Sequence, residues 1–222
     1  MRQHTLFDSD WRFFLGDPLN GYAPDLDDAR WRRLNLPHDW SIEGDFDERH
    51  PAGRQGAYLP CGVGWYRKAF TLAPSARGRS VAVTFDGVYR KADVWLNGYH
   101  LGFHPYGYTS FQYDLTPYLK YGAEPNILAV RVDNALQPDG RWYAGSGIYR
   151  HVWLTVADPL RIAPWGVYVT TPEVTADLCT LRVRTRVRND GDRERFCTLA
   201  TAALDAEGQV CGQVASSHPI AP

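Results

Sequence analysis

The sequence predicts an all-β protein, a jelly-roll β-sandwich followed by part of an immunoglobulin-like β-sandwich, on three observations. Apolar and polar residues alternate through short runs, Gly-, Asn- and Pro-containing turns separate those runs, and helical periodicity is scarce. With 222 residues the chain is long enough for one large β domain or two smaller ones. Its 44% hydrophobic and 22% charged residues are ordinary for a globular protein.

A long run without clear periodicity, about residues 8–62, comes first. Pro18, Pro24, Pro37, Pro51 and Pro60 punctuate it, and it is expected to wrap irregularly over the sandwich. Strands are expected at residues 64–71 and 81–85, the second ended by Asp86-Gly87. The runs 92–96 and 99–103 flank Asn97-Gly98, a hairpin signal because both turn positions need positive φ. Val94 and Leu96 then share one face of that hairpin, and Trp95 takes the other. Asp114 caps at most a turn or so of helix through Leu119. Strands follow at 126–133 and 151–156, and Gly145-Ser146-Gly147 lets the backbone turn tightly before the last of them.

A boundary is expected near Asp158-Pro159, where aromatic density drops, giving domains 1–157 and 158–222. Beyond it, residues 180–188 alternate cleanly. Leu181, Val183, Thr185 and Val187 lie on one face, and Arg182, Arg184, Arg186 and Arg188 on the other. The arginine row reads as a solvated face that discourages edge pairing, with a nucleic-acid or partner stripe as the competing reading. A return strand at 195–204 and another from 209 to 216 complete three or four strands, where an immunoglobulin-like sandwich needs about seven. The second domain is therefore expected to be truncated. Its uncovered apolar faces invite pairing with another copy, so a homo-oligomer or a loosely ordered end after Asp158 is expected.

Lys and Arg number 24 against 25 Asp and Glu, and the net charge of −1 leaves little field to attract a polyanion. No nucleic-acid partner is expected on that ground. No apolar run is long enough for a bilayer, so no membrane partner is expected either. The first eight residues lack the basic start and apolar stretch of a secretory signal, which reads as cytoplasmic. Cys61, Cys179, Cys197 and Cys211 form no Cys-x-x-Cys pair, so free thiols are expected, with Cys197–Cys211 the one bridge left open. The 8 Trp, 13 Tyr and 9 Phe suit half-buried pleated surfaces, and aromatics also form faces on which sugar rings sit.

Several chemistries find no support. No Gly-x-Ser-x-Gly elbow supplies a nucleophile, and Gly145-Ser146-Gly147 lacks that spacing. His38 and Asp39 are adjacent, so their side chains need not converge. His100 and His104 resemble two metal ligands without a third, and the acidic loop holding Glu43, Asp45, Asp47 and Glu48 lacks the Gly-punctuated pattern of a calcium loop. No metal-binding residues are expected.

One ordered set of motifs carries a resemblance. It comprises Leu36-Pro37-His38-Asp39-Trp40, Gly64-Trp65-Tyr66-Arg67, the run from Phe85 to Leu119 (FDGVYRKADVWLNGYHLGFHPYGYTSFQYDLTPYL), and the run from Arg141 to Arg150 (RWYAGSGIYR). Together these closely resemble the N-terminal sugar-binding domain of glycoside hydrolase family 2, a galactose-binding-domain-like jelly roll, densely over residues 8–157. The remainder more weakly resembles the family's immunoglobulin-like domain.

The resemblance implies that a (β/α)₈ barrel follows, carrying both catalytic glutamates of a retaining O-glycosyl hydrolase. Such a pair stands about 5 Å apart. Nothing among Glu43, Glu48, Glu124, Glu173, Glu194 and Glu207 makes a convincing couple, so no catalytic residue is expected in this chain. Magnesium and sodium sites known in some relatives involve the barrel, so no cofactor is expected here. The resemblance further implies carbohydrate contacts from a loop matching residues 133–142 and from the stretch after the Asp-Gly-Val turn. These name Tyr89, Arg90, Asp139, Arg141 and Trp142 as substrate-binding residues. Some relatives, glucuronidases among them, carry an Asp where this chain has Arg141. Arg141 can donate to hydroxyls and Asp139 can accept from them, while ordinary loop stabilisation is the alternative role. β-Galactosidases, β-glucuronidases and β-mannosidases share this domain, and the run from Arg141 to Arg150 looks most like the galactosidase branch. The other readings are an autonomous carbohydrate-binding module and a structural oligomerisation domain.

Overall fold

The computed structural model describes residues 2–138, 140 and 142–222. The chain divides into two compact units, the first ending at Val156 and the second running Ala157–Pro222. Nearly all regular structure is β.

The first unit is a β-sandwich of a four-stranded and a six-stranded sheet. The four-stranded sheet orders β1 (Gln3–Leu6), β10 (Val152–Ala157), β5 (Ser80–Phe85) and β8 (Phe111–Asp114). The six-stranded sheet orders β3 (Arg32–Leu34), β2 (Trp11–Leu15), β4 (Gly62–Phe70), β9 (Asn126–Asn134), β6 (Ala92–Leu96) and β7 (Tyr99–His104). Alternation does the sorting. Val81, Val83 and Phe85, Ala92, Val94 and Leu96, and Leu128, Val130 and Val132 all point into one core with Trp11, Phe13 and Tyr66. Trp95 joins Trp65, Trp31 and Ala129 on the opposite face of the six-stranded sheet.

The expected hairpin forms β6 and β7, with φ of 51° at Asn97 and 86° at Gly98. Asn97 also fastens the turn sideways: its amide donates to the Tyr118 carbonyl at 2.8 Å and its Oδ1 accepts from Ile127 N–H at 2.8 Å. Near Asp114 a 3₁₀ turn forms at Thr116–Tyr118, where the Asp114 carboxylate accepts from Thr116 N–H at 2.9 Å.

The irregular run expected over residues 8–62 needs correction, because it contains β2 and β3. β2 pairs with β4 through Arg12–Arg67 to Leu15–Gly64, and β3 adds to its other side. Only Trp11 and Phe13 of β2 are buried, an alternation too short to register as periodic. The rest of that run does wrap. Arg67, only 1% exposed, reaches across to it, with Nε 2.8 Å from Asp28 Oδ2 and Nη1 2.8 and 2.9 Å from the carbonyls of Gly21 and Ala23. Gly21 lies so close over the Trp65 indole that a Cβ there would sit 2.7 Å from the ring.

The second unit consists of two hairpins, β11 (Leu160–Val174) with β12 (Cys179–Asn189) and β13 (Arg195–Leu204) with β14 (Val210–Ile220). The sequence reading did not find β11, because Pro164 and Gly166 interrupt it. They sit in a bulge between the Ile162–Val187 and Val167–Thr185 pairs. Leu181, Val183, Leu199 and Val214, together with Arg182 and several Thr and Ser residues, line an open cleft of about 400 Å³ between the hairpins. All four cysteines are free, Cys197 and Cys211 included. Among the described residues no helix is long and apolar enough to cross a membrane.

Candidate functional site

The site begins at the Asp86-Gly87 turn. Gly87 has no room for a side chain, since a Cβ would lie 2.8 Å from the Tyr149 hydroxyl and from Arg150 Cδ. Asp86 N–H donates to the His151 carbonyl at 3.0 Å, and its carboxylate accepts from the Trp153 indole at 2.8 Å. So anchored, the turn delivers Tyr89 against Gly147, with backbone bonds of 2.9 and 2.7 Å running both ways. Gly147 has φ +122° and would drive a Cβ to 2.4 Å from the Tyr66 hydroxyl, which is why glycine stands there.

The Tyr89 ring lies over Gly107, where a Cβ would come within 2.2 Å of it. Tyr149 donates its hydroxyl proton to the Gly107 carbonyl at 2.8 Å, and burial pushes that phenol upward in pKa. Around Gly107 the chain turns Tyr106 and Tyr108 outward. The Tyr108 ring sits 5.3 Å from Tyr89 and 5.6 Å from Tyr106. Trp142, 63% exposed, donates its indole N–H to the Tyr108 hydroxyl at 3.0 Å. Arg90 closes one side, its Nη2 donating to the Leu136 carbonyl at 3.2 Å and its own carbonyl accepting from Asp133 N–H at 2.9 Å.

Tyr89, Arg90, Tyr106, Tyr108 and Trp142 therefore line one cleft of about 170 Å³, with Gly140 at its edge. Of the five substrate-binding residues expected from the sequence, the fold brings Tyr89, Arg90 and Trp142 together; Asp139 and Arg141 lie outside the described residues. Tyr106 and Tyr108 were missed. The available signal was a pair of tyrosines flanking a single glycine in Tyr106-Gly107-Tyr108.

Both ends of the loop carrying Trp142 are tied down. Asn134 donates to Ser146 Oγ at 2.8 Å, Gln137 donates to Asn134 Oδ1 at 2.7 Å, and Ser41 Oγ donates to Ser146 Oγ at 2.7 Å. The Asp39 carboxylate accepts from the N–H groups of Ser41 and Ser146, at 2.9 and 2.8 Å, joining two distant loops. Tyr143 packs beside it. Burial first, then the Asp39 charge and a 3.4 Å hydrogen bond to its carboxylate, push the Tyr143 phenol up to about 12.

His38 turns the other way from Asp39. Its Nδ1 lies 2.7 Å from the buried Tyr66 hydroxyl and its Nε2 2.8 Å from Arg32, which grips Glu43 at 2.7 and 2.8 Å. Burial holds the His38 imidazole below its usual pKa, although Glu43 opposes this. His100 and His104 do not converge either. A bulge between the Val94 and Trp95 pairs sets His100 opposite outward Trp95 and His104 opposite inward Ala92. His100 bonds Asp93 at 2.8 Å, and His104 stacks on Phe111 at 4.3 Å. Among the described residues no three of His, Cys, Asp and Glu gather as a metal site.

The cleft's described lining offers aromatic faces, phenol groups and one guanidinium, without a carboxylate or imidazole. That set can stack a ring and bond its hydroxyls. It does not supply an acid and nucleophile couple.

Comparison with known proteins gives the chain a family. The family model described as glycosyl hydrolases family 2, sugar binding domain, matches residues 54–159. The β-galactosidase BoGH2A of Bacteroides ovatus is 49% identical over 216 residues, covering 97% of this chain and 25% of that protein. A β-glucuronidase of Bacteroides fragilis is 31% identical over 223 residues, covering 95% of this chain and 29% of its own length. The crystal structure of a glycosyl hydrolase family 2 member from Bacteroides cellulosilyticus superposes with a TM-score of 0.90 at 38% identity, over 98% of this chain and 28% of that one. This chain thus spans about a quarter of the length of the relatives it matches. A sandwich of this topology, matched over nearly its whole length, identifies the chain as a member of glycoside hydrolase family 2.

Proposed function

We propose that the chain is the non-catalytic N-terminal part of a retaining O-glycosyl hydrolase acting on β-galactosides, and that its cleft holds one ring of the substrate. The observation that carries this reading is the convergence of Tyr89, Arg90 and Trp142 with Tyr106 and Tyr108 around about 170 Å³. That space is smaller than the roughly 300 Å³ at which drug-sized ligand pockets begin, so it suits a single ring. The β-galactoside choice is supported by the 49% identity to a β-galactosidase, set against 42% to a putative β-glucuronidase of Formosa agariphila. Asp139 and Arg141 belong to the same proposal as hydroxyl-binding residues of the loop. We also assign the protein to the cytoplasm, a reading supported by four unpaired thiols. A homo-oligomer is favoured by the exposed apolar residues of the second unit, Leu181, Val183, Phe196 and Val214 among them.

The test uses the full-length parent enzyme with p-nitrophenyl β-galactoside and β-glucuronide. Galactoside cleavage is expected, and Trp142→Ala should raise KM about ten-fold with kcat little changed, since 1.4 kcal/mol of lost stacking is a factor of ten. Cleavage of the glucuronide alone would refute the substrate, and an unchanged KM would refute the cleft.

A further inference from the structure

The arginine row of β12 has no role in the cleft. Arg182, Arg184, Arg186 and Arg188 are all exposed and alternate along one face of the hairpin. Residues two apart on a strand lie about 6.7 Å from one another, so the row extends roughly 20 Å. Cross-strand register fixes its neighbours. Thr170 stands opposite Arg182, Tyr168 opposite Arg184 and Arg161 opposite Arg188, each pair on a shared face. The bulge that holds Trp165 stands opposite Arg186. Tyr168 is 62% exposed and Trp165 is 70% exposed, both unusually open for residues of that size.

Charge is distributed unevenly along the hairpin. Asp190 pairs with both Arg161 and Arg188 and halves the positive charge at one end. Glu173 and Asp177 sit toward the other end, beside the turn. Between them, Arg182, Arg184 and Arg186 make no ion pair among the described residues. Three exposed guanidiniums in line, with exposed Tyr168 paired opposite Arg184, form a row of donors open to an anionic partner.

We propose that this face binds an acidic polysaccharide, a chain of sugar rings carrying carboxylates or sulfates, with the guanidiniums forking onto the anions and Tyr168 and Trp165 stacking the rings. Preferring a glycan to other polyanions rests on the function proposed above and on charge. A sequence pI of about 6.6 and a net charge of −1 give none of the broad positive field that nucleic-acid binders use. The site is separate from the Trp142 cleft in residues and in chemistry.

Affinity electrophoresis of this chain through gels containing polygalacturonate, dextran sulfate, neutral galactan or single-stranded DNA tests the proposal. Retardation is expected with polygalacturonate or dextran sulfate, whichever anion the forks prefer, and should weaken as salt rises. The triple variant Arg182→Gln, Arg184→Gln, Arg186→Gln should lose at least about ten-fold in affinity with an unchanged thermal melting curve, as expected for surface substitutions. A triple Arg→Lys variant, which keeps charge but loses the forks, should fall in between. Trp142→Ala should leave retardation intact, so failure of the cleft reading and failure of this one are separable. Equal retardation by galactan, equal or stronger binding of single-stranded DNA, no retardation by either acidic polymer, or full binding by the triple Gln variant would each overturn it.

Discussion

At the residue scale, Asp39 and Tyr143 govern how the cleft loop is held. Asp39 bridges the loop that follows β3 to the one before β10, through the N–H groups of Ser41 and Ser146. Gly145 lies against the same carboxylate, so closely that a Cβ would meet Asp39 Oδ2 at 1.9 Å. Tyr143 takes its raised pKa of about 12 from burial and this neighbouring charge. An unfolded tyrosine ionises near 10. Between about pH 10 and 12 the unfolded chain has therefore released a proton that the folded chain keeps, and stability falls as pH rises. Burial raises Tyr66 and Tyr149 in the same direction, so they add to the slope. Tyr143→Phe should lose less stability than the parent chain between pH 9 and 11.5, read as urea midpoints at several pH values. Identical pH profiles would mean that neither burial nor Asp39 raises the phenol's pKa.

At the element scale, Arg67 decides whether the segment between β2 and β3 lies on the sheet. It is buried in β4, and its guanidinium holds one carboxylate and several carbonyls of residues 21–28. The Trp31 ring lies 5.9 Å from its guanidinium carbon. Removing one partner of a buried pair strands the other, at a cost of about 3–5 kcal/mol. Arg67→Met should lower stability by that order in chemical denaturation, with proteolytic cleavage appearing between residues 16 and 31. A variant whose segment stays protected would show that Gly21 packing on Trp65 is sufficient by itself.

At the scale of the whole molecule, the two units differ in how much apolar surface they cover. The first encloses a continuous core between two sheets. In the second, Leu181, Val183, Val214 and Phe196 are exposed and two hairpins share one open cleft. Isolated two-stranded sheets are marginal in water. Amide hydrogen exchange should accordingly be much faster through β11–β14 than through β4, β5, β6 and β9, read by mass spectrometry of peptic fragments. Equal protection in both regions would require a covering partner, and sedimentation at rising concentration would then reveal a dimer.

Local pattern determined a large part of this. Strands with three or more alternating apolar residues, the Asn97-Gly98 hairpin and the split of Val94 and Leu96 from Trp95 are all written in a few adjacent residues, because side-chain direction has a period of two. The ordered motifs likewise carried the family. Other features needed the folded chain. β2 contributes only two core residues and becomes a strand because β4 accepts it, and β11 survives Pro164 and Gly166 because a bulge absorbs them. The opposed faces of His100 and His104 depend on a one-residue shift in register that no spacing rule reveals. The cleft is the clearest case. Tyr89, Tyr106, Tyr108 and Trp142 are spread over more than fifty positions of the chain, and they meet because Gly87, Gly107 and Gly147 let backbone and rings approach where a methyl group would collide. Strand propensity is a property of neighbours in sequence, whereas that approach depends on long-range pairing and on missing volume, which only the tertiary structure sets.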